Sequence, residues 1–452
     1  MIFNNLHRYG NKIALISDRE KISYNKLISL ARKIQINKNK LILILSDNNI
    51  ETLILYIASI RSKSSVYLVD FKCDDKFLKK TIDLYQPEFI AFPKYRKIDN
   101  NNYKKYKNFR TYKIIKIKNQ SRNLINDNLA ILLTTSGTTG TQKLAKLSYK
   151  NITSNAQSIV KYLNLNYSDC SITTLPIYYS YGLSVINSHL YSGAKIVLNK
   201  LSILENEFWN KIKKLNITNF SMVPFFFDII KRLNFDKYKI EKLKFVTLAG
   251  GKLDKKNEAY FNDFFFKRKI KFIKMYGATE ASPRISYLKP RYNKIKIGSI
   301  GKAIPKGKLL IKDKNGKNIN KPNVVGEISY IGPNIFMGYS FSRKDLLADK
   351  TPNFLNTGDL GYFDKDGFFY ITGRKKRFAK IFGHRINLDE IEQMNKELGF
   401  INAVISDDKK IFVFLKKKDQ KKSTKKILEK IKINSSYIKF IYLNKFPINQ
   451  SS

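Results

Sequence analysis

The stretch "LILILSDNNIETLILYIASIRSKSSVYLVD" (Leu41–Asp70) decides the fold class. Leu41–Leu45 is an unbroken apolar run of strand length. "NNIETLILYIASIRSK" (Asn48–Lys63) follows with helical spacing, and "VYLVD" (Val66–Asp70) is a second apolar strand. A strand, a helix and a strand in this order form a parallel βαβ unit, and near-continuous apolar strands suit a sheet covered on both faces. The same texture spreads outward. "EFIAF" (Glu88–Phe92), "KIVL" (Lys195–Leu198), "FSMV" (Phe220–Val223), "KFVTLAG" (Lys244–Gly250) and "KFIKMYG" (Lys271–Gly277) are strand-like and separated by helix-length segments.

Two other textures complete the chain. Tyr95–Asn128 is polar and biased to Lys and Asn. It reads mostly as a surface connection, with "YKIIKIK" (Tyr112–Lys118) as an edge strand. From Gly298 to Gly338, short strands alternate with "GKAIPKG", "KDKNGK" and "NKPNVVGE", which indicates antiparallel β structure. After Arg374 a small α+β unit follows, with "INLDEIEQMNKEL" and "STKKILEKIKI" as helices and "IFVFL" as a strand. The expectation is an α/β protein. A large N-terminal domain over residues 1–374 has βαβ layered sheets and a small β-barrel-like part, and a small α+β C-terminal domain covers residues 375–452.

Composition narrows the class. The 452 residues are 43% hydrophobic and 27% charged, values that support a globular chain with more than one packed unit. No apolar run approaches the roughly 18 residues of a membrane span. The start, "MIFNNLHRYGNK", has neither an apolar h-region nor a small-residue cleavage site, so no secretory leader is expected. Cys73 and Cys170 are isolated and offer no disulfide framework, which points to a reducing, cytoplasmic compartment. The formal net charge of +49 could attract nucleic acid, acidic lipid, nucleotides or an acidic carrier protein. The lysines are spread along the chain with Ile and Asn, the pattern that an A/T-rich coding sequence produces. His7, His189 and His384 share no metal-ligand spacing, and His189, in an apolar helix-like stretch, reads as a packed core histidine.

One polar segment stands out. In "LLTTSGTTGTQK" (Leu132–Lys143) an apolar strand runs into Ser, Thr and Gly and ends on a lysine. Glycines allow close approach to a ligand and positive φ. Successive amide N–H groups form an anion-binding nest, hydroxyls add donors, and Lys143 adds a mobile charge. This combination suits nucleotide phosphates, although it is not the G-x-x-x-x-G-K-[ST] loop.

Thr135–Lys143 resembles the signature of the adenylate-forming superfamily: acyl-CoA synthetases, carrier-loading adenylation domains and luciferases. The family pattern is roughly T-S-G-T-T-G-x-P-K-G; here Gln142 replaces Pro and Leu144 replaces the last Gly. Further segments resemble the family in the expected order. They are "LPIYYSYGLS" (Leu175–Ser184), "LAGGKL" (Leu248–Leu253), "YGATEAS" (Tyr276–Ser282) and "NTGDLGYFDKDGFFYITGRKKRFAKIFGHRINLDEIE" (Asn356–Glu392).

The resemblance implies nucleotide-binding roles for Thr135, Ser136, Gly137, Thr138, Thr139, Gly140, Lys143, Gly250, Gly251, Tyr276, Gly277, Thr279, Asp359 and Arg374. Tyr276 would flank the adenine and Thr279 would touch the α-phosphate. Glu280 would hold Mg²⁺, a hard cation suited to carboxylate and phosphate oxygens. Asp359 would accept the ribose hydroxyls, and Arg374 would contact ribose and phosphate. Lys143, Thr279 and Glu280 would be the catalytic set. Tyr179, where many members have His, would line the acyl pocket with Gly182 and Gly251. Tyr178, Tyr181 and "VPFFF" (Val223–Phe227) are further candidates for that pocket. Lys376 would be the hinge of a mobile C-terminal domain, and Gly383 the tip of its thiol-side loop.

The expected reaction is AMP-forming acid–thiol ligation: ATP-dependent adenylation of a small-molecule carboxylic acid, rotation of the small domain, and acyl transfer to a thiol. The thiol would belong to CoA or to the phosphopantetheine arm of an acyl or peptidyl carrier protein. The family usually ends in P-x-x-x-x-G-K, whose lysine serves adenylation. Counting from Pro447 places that lysine at 453, one position past Ser452, so the resemblance implies either a longer chain or loss of this group. Two rival readings follow. An impaired paralogue would bind ATP, AMP or an acyl ligand without full turnover, and a nucleic-acid binder would be supported by charge alone.

Overall fold

The computed structural model describes residues 1–98, 103–118, 124–135, 143–233, 235–238, 240–375, 377–381, 384–406, 410–417, 435–444 and 446. Two large sheets carry the N-terminal part. In the first, the strands Lys195–Val197, Cys170–Ile172, Asn219–Met222, Phe245–Leu248 and Lys271–Gly277 lie side by side and parallel. The ladder then turns antiparallel through Arg284–Leu288 and Ser299–Ala303 and continues through Phe369–Arg374, Leu355–Phe363, Gly326–Ile331 and Lys308–Lys312. The antiparallel texture expected between Gly298 and Gly338 is therefore hydrogen-bonded into the same sheet.

The second sheet is built on the opening stretch. Leu41–Ser46 pairs parallel with Ser65–Asp70 and with Phe89–Pro93, and Ser65–Asp70 pairs parallel with Leu129–Thr134. Helix Ile50–Arg61 connects the first two strands. It is buried at every position from Ile50 to Ile60, the signature of a helix covered on all sides. Asn49 caps it, its side chain accepting the Thr52 N–H at 2.8 Å. One core cluster joins Ile42 and Ile44 of this sheet to Leu15 and Ile196 of the other, with residues of helices Ile50–Arg61, Tyr149–Leu163 and Ser180–Ser192 among them. These helices fill the space between the sheets, where their apolar faces leave water.

One local expectation needs correction. "YKIIKIK" is not the edge. Tyr112–Ile117 is an inner strand, paired with Phe89–Pro93 on one side and with Tyr103–Phe109 on the other. The polar segment Tyr103–Phe109 takes the edge, where charged side chains remain in water and discourage further pairing.

Beyond Arg374, Phe378–Ile381 pairs with His384–Asn387. Helix Leu388–Glu397 and the strands Asn402–Ser406, Ile411–Lys416 and Ile438–Leu443 follow. Leu388, Ile391, Phe400, Val404, Ile411, Val413, Leu415 and Ile438 form a core cluster of their own. The expected helix "STKKILEKIKI" lies outside the described residues. Cys73 and Cys170 are free thiols. His189 is buried in the core, its ring nitrogens 2.8 Å from the Val185 carbonyl oxygen and 3.0 Å from Asn219 Oδ1. Among the described residues, no helix is long and apolar enough to cross a membrane.

Candidate active site

In open α/β sheets, ligands bind beyond the carboxyl ends of the parallel strands. Three such ends lie side by side here. Asn219–Met222 runs into Val223–Pro224, Phe245–Leu248 into Gly250–Gly251, and Lys271–Gly277 into Thr279–Glu280. Gly250 is in the left-handed region at φ 82°. A Cβ there would stand 2.8 Å from the Tyr179 hydroxyl, and one on Gly251 would stand 2.8 Å from Pro224 Cγ. The two glycines thus keep an exposed backbone shelf clear beside Tyr179. Gly182 and Gly277 have packing reasons of their own. A Cβ on Gly182 would meet the Pro176 carbonyl oxygen at 2.2 Å, and one on Gly277 the Pro283 oxygen at 1.6 Å.

Asp359 occupies one flank of the site. It is 7% exposed on the strand Leu355–Phe363, directly opposite Arg374 in the antiparallel ladder. The Tyr276 hydroxyl donates to Asp359 Oδ2 at 2.5 Å, and Arg374 Nε donates to Oδ1 at 3.1 Å. Burial pushes the Asp359 carboxyl above the ordinary carboxylate range, against the opposing pull of the Tyr276 hydrogen bond and the Arg374 charge. Burial and the adjacent carboxylate push the Tyr276 phenol well up. Two ligands on a carboxylate leave acceptor capacity, since its two oxygens offer about four lone-pair directions. Arg374 is also held through its backbone, its N–H donating to Asp389 Oδ2 at 2.9 Å. Arg377 pairs with the same Asp389 at 2.7 Å and with Glu392 at 2.5 Å.

The other flank joins two motifs more than a hundred residues apart. Leu129–Thr134 and Leu144–Ser148 are antiparallel, with Thr134 opposite Leu144. Thr135 and Lys143 therefore leave the ladder from adjacent positions. Ser136, Gly137, Thr138, Thr139 and Gly140, between them, lie outside the described residues. Thr135 Oγ1 is buried with no hydrogen-bond partner among the described residues. Tyr339 pairs with Ala145 on the far side of Leu144–Ser148. Its ring centroid lies 4.2 Å from Lys143 Nζ, and its hydroxyl donates to Glu280 Oε1 at 2.8 Å. The Thr279 hydroxyl donates to Ser180 Oγ at 3.1 Å. Lys143, Tyr339, Glu280, Thr279 and Ser180 thus form one connected run. Lys376 and Gly383 lie outside the described residues.

Tyr339, Ser180 and a buried arginine, Arg284, are the residues that sequence reasoning did not single out. Tyr339 has no local signal. Arg284 has one, as a charged residue opening the otherwise uncharged strand "RISYL".

The family model described as AMP-binding enzyme matches residues 2–340. This chain belongs to that family. It is 32% identical over 266 residues to a 2-succinylbenzoate–CoA ligase of Bacillus cereus, covering 58% of this chain and 53% of the relative. It is 29% identical over 276 residues to an oxalate–CoA ligase of Arabidopsis thaliana, covering 59% and 52%. The chain spans about half the length of the curated relatives it matches. The solved O-succinylbenzoate coenzyme A synthetase of Bacillus subtilis, in complex with AMP, superposes with a TM-score of 0.80 at 20% identity, over 99% of this chain and 95% of that one. The adenylate-forming fold expected from the motifs is the fold observed.

Proposed function

We propose that this protein is an AMP-forming acid–CoA ligase. The observation that carries the proposal is the convergence, at the carboxyl ends of the parallel strands, of two constellations. One is Asp359 with Tyr276 and Arg374; the other is Lys143 and Tyr339 with Glu280 and Thr279. The relatives named as CoA ligases support CoA as the thiol in preference to a carrier protein. Related solved structures are described in complex with ATP and magnesium ion, or with AMP.

The residues present fit those ligands. Asp359 is a buried carboxylate with acceptor capacity for ribose hydroxyls. The Thr135 hydroxyl is buried without a partner among the described residues at the mouth of the Ser/Thr/Gly loop. Gly250 and Gly251 hold open a shelf that any side chain would fill. Glu280 would hold Mg²⁺, which neutralises phosphate charge when bound.

In the first half-reaction a carboxylate oxygen of the acid attacks the α-phosphorus of ATP and the bond to pyrophosphate breaks. Lys143 and the Thr279 hydroxyl stabilise negative charge on the phosphates, and the Ser/Thr/Gly loop contributes amide donors. In the second, the CoA sulfur attacks the acyl carbon of the mixed anhydride, AMP leaves, and the thiol proton is released. Arg374 and Lys375 close the large domain over residues 1–374 and open the small one over residues 375–452. With Lys376 as hinge, a turn of the small domain would bring the Gly383 loop to the thiol side.

The test is ATP–pyrophosphate exchange with a panel of carboxylic acids, followed by CoA-dependent AMP release. Exchange with at least one acid and acyl-CoA formation are expected. ATP binding without exchange across the panel would favour an impaired paralogue. No ATP binding and no exchange would overturn the proposal.

A further inference from the structure

The helix Lys255–Lys267 runs back along the first sheet from the Gly250–Gly251 shelf, and its last turn lies where the strand Lys271–Gly277 begins. That strand has 7 residues, which at about 3.3 Å each put roughly 20 Å between this end of the sheet and Gly277. The loop after the strand Arg284–Leu288 returns to the same end, because that strand runs antiparallel to Lys271–Gly277. Three contacts seat the loop on the helix. Asn262 Nδ2 donates to the Asn293 carbonyl oxygen at 2.9 Å, Asp263 pairs with Lys294 at 2.8 Å, and Lys294 Nζ lies 4.5 Å from the centroid of the Phe266 ring. Phe266 and Ile295, one on each side of Lys294, therefore share one surface. They are 69% and 70% exposed, and Ile297 beside them is also exposed. Large apolar side chains grouped in water mark an interaction surface. The surroundings are basic beyond the bias of the whole chain. Lys255–Lys271 holds six basic and two acidic residues and Lys289–Lys296 four and none, against 85 and 36 overall. Of the two acids, Glu258 is buried against Lys274 and Asp263 is held by Lys294. Lys296 turns to Asp364 and Asp366 instead.

We propose that this face docks the protein on an anionic lipid surface, with Phe266 and Ile295 entering the interface. An apolar tip inside a basic ring is complementary to such a surface. The apolar side chains enter the boundary of the acyl chains, and lysine stems lie along it with their ammonium groups at the lipid phosphates. A second copy of this chain would set like charge against like. Nucleic acid is met by stacking rings, which Ile295 and Ile297 do not supply. The candidate active site, at the other end of the strand Lys271–Gly277, stays open to water in the docked protein. The proposal does not depend on the ligase reading.

The experiment sediments the full chain with vesicles of phosphatidylcholine, with and without about one-third phosphatidylglycerol. A net charge of +49 would by itself draw the chain to the anionic vesicles, so the deciding variant leaves charge untouched. Phe266→Ser/Ile295→Ser is expected to bind the anionic vesicles about tenfold more weakly than the wild type. Leu204→Ser, which removes an exposed apolar side chain outside this face, is expected to bind as the wild type does. Both altered side chains stand largely in water, so an unchanged melting temperature separates lost docking from lost fold. A second readout follows insertion directly. The one native tryptophan, Trp209, is buried, so the emission added by Phe266→Trp reports on this face. It is expected to shift to the blue on the anionic vesicles and to stay unshifted on phosphatidylcholine alone. Equal binding by the wild type and the double variant, or no blue shift of Phe266→Trp on anionic vesicles, would overturn the proposal. A shift produced by polyuridylate or by polyglutamate, and not by vesicles, would overturn it as well and give the face to a nucleic acid or an acidic protein.

Discussion

Replacing Asp359 by Asn should stabilise the fold while weakening nucleotide binding. The carboxylate is 7% exposed, and burial holds its pKa above the unfolded value of 3.8. Its ionised form is therefore destabilised by folding. In Asp359→Asn the charge disappears, and the amide oxygen still accepts from Tyr276. Arg374 is 64% exposed and can return its charge to water at little expense. The balance favours the variant at neutral pH, read as a higher melting temperature. The pH dependence has a definite sign. Above the folded-state pKa the wild type carries the full penalty of a buried charge. As pH falls toward 3.8 the carboxyl takes up its proton and the two proteins converge. Calorimetry from about pH 7.5 down to about pH 4.5 should therefore show a difference that narrows on acidification. ATP affinity, read by titration calorimetry, should fall by about 100-fold, as expected when a charged acceptor for two hydroxyls is lost. A variant less stable than wild type by more than about 1 kcal/mol at neutral pH would refute the reasoning, because the bonds to Tyr276 and Arg374 would then outweigh desolvation.

Three further substitutions probe the site and its frame. Tyr339→Phe keeps the ring beneath Lys143 and removes the hydrogen bond to Glu280, so kcat/KM for Mg-ATP in pyrophosphate exchange should fall by about tenfold with little change in melting temperature. Gly250→Ala places a methyl group 2.8 Å from the Tyr179 hydroxyl at φ 82° and should cost about 2 kcal/mol; denaturant titration of Tyr179→Phe/Gly250→Ala should show less than the sum of the single changes. Lys274→Met removes the ion-pair partner of Glu258 in the core and leaves it the Gly298 N–H at 3.0 Å and the charge of nearby Lys252, and should cost about 3 kcal/mol by denaturant titration; Lys274→Met/Glu258→Gln should recover most of that.

The parallel strands were legible because burial on both faces writes itself as unbroken apolar runs, and Leu41–Leu45 is such a run. The motifs were legible because glycine, hydroxyl and carboxylate residues follow one another in the order of the adenylate-forming pattern that they resemble. Tyr339 was not, because its importance arises from pairing with Ala145, nearly two hundred residues away, and no spacing in the chain encodes that contact. Arg284 sits in a strand whose charged residue reads as a solvent face, whereas packing from both sides closes over it. Tyr103–Phe109 lacks the apolar alternation of a strand and becomes one because Tyr112–Ile117, after a turn with Arg110 at φ 53°, offers it a free edge.

Arg374 serves two masters. Its side chain grips the acid that would cradle the sugar, and its amide grips Asp389 on the helix Leu388–Glu397. If the small unit turns as the ligase reading proposes, a swing that carries Asp389 away would have to let go of that amide, on the same residue whose side chain holds Asp359. On the ligase reading proposed above, release of AMP and return of the small unit would then be felt at one residue, Arg374, together with its neighbours Lys375 and Arg377, which hold Glu327 and Asp389.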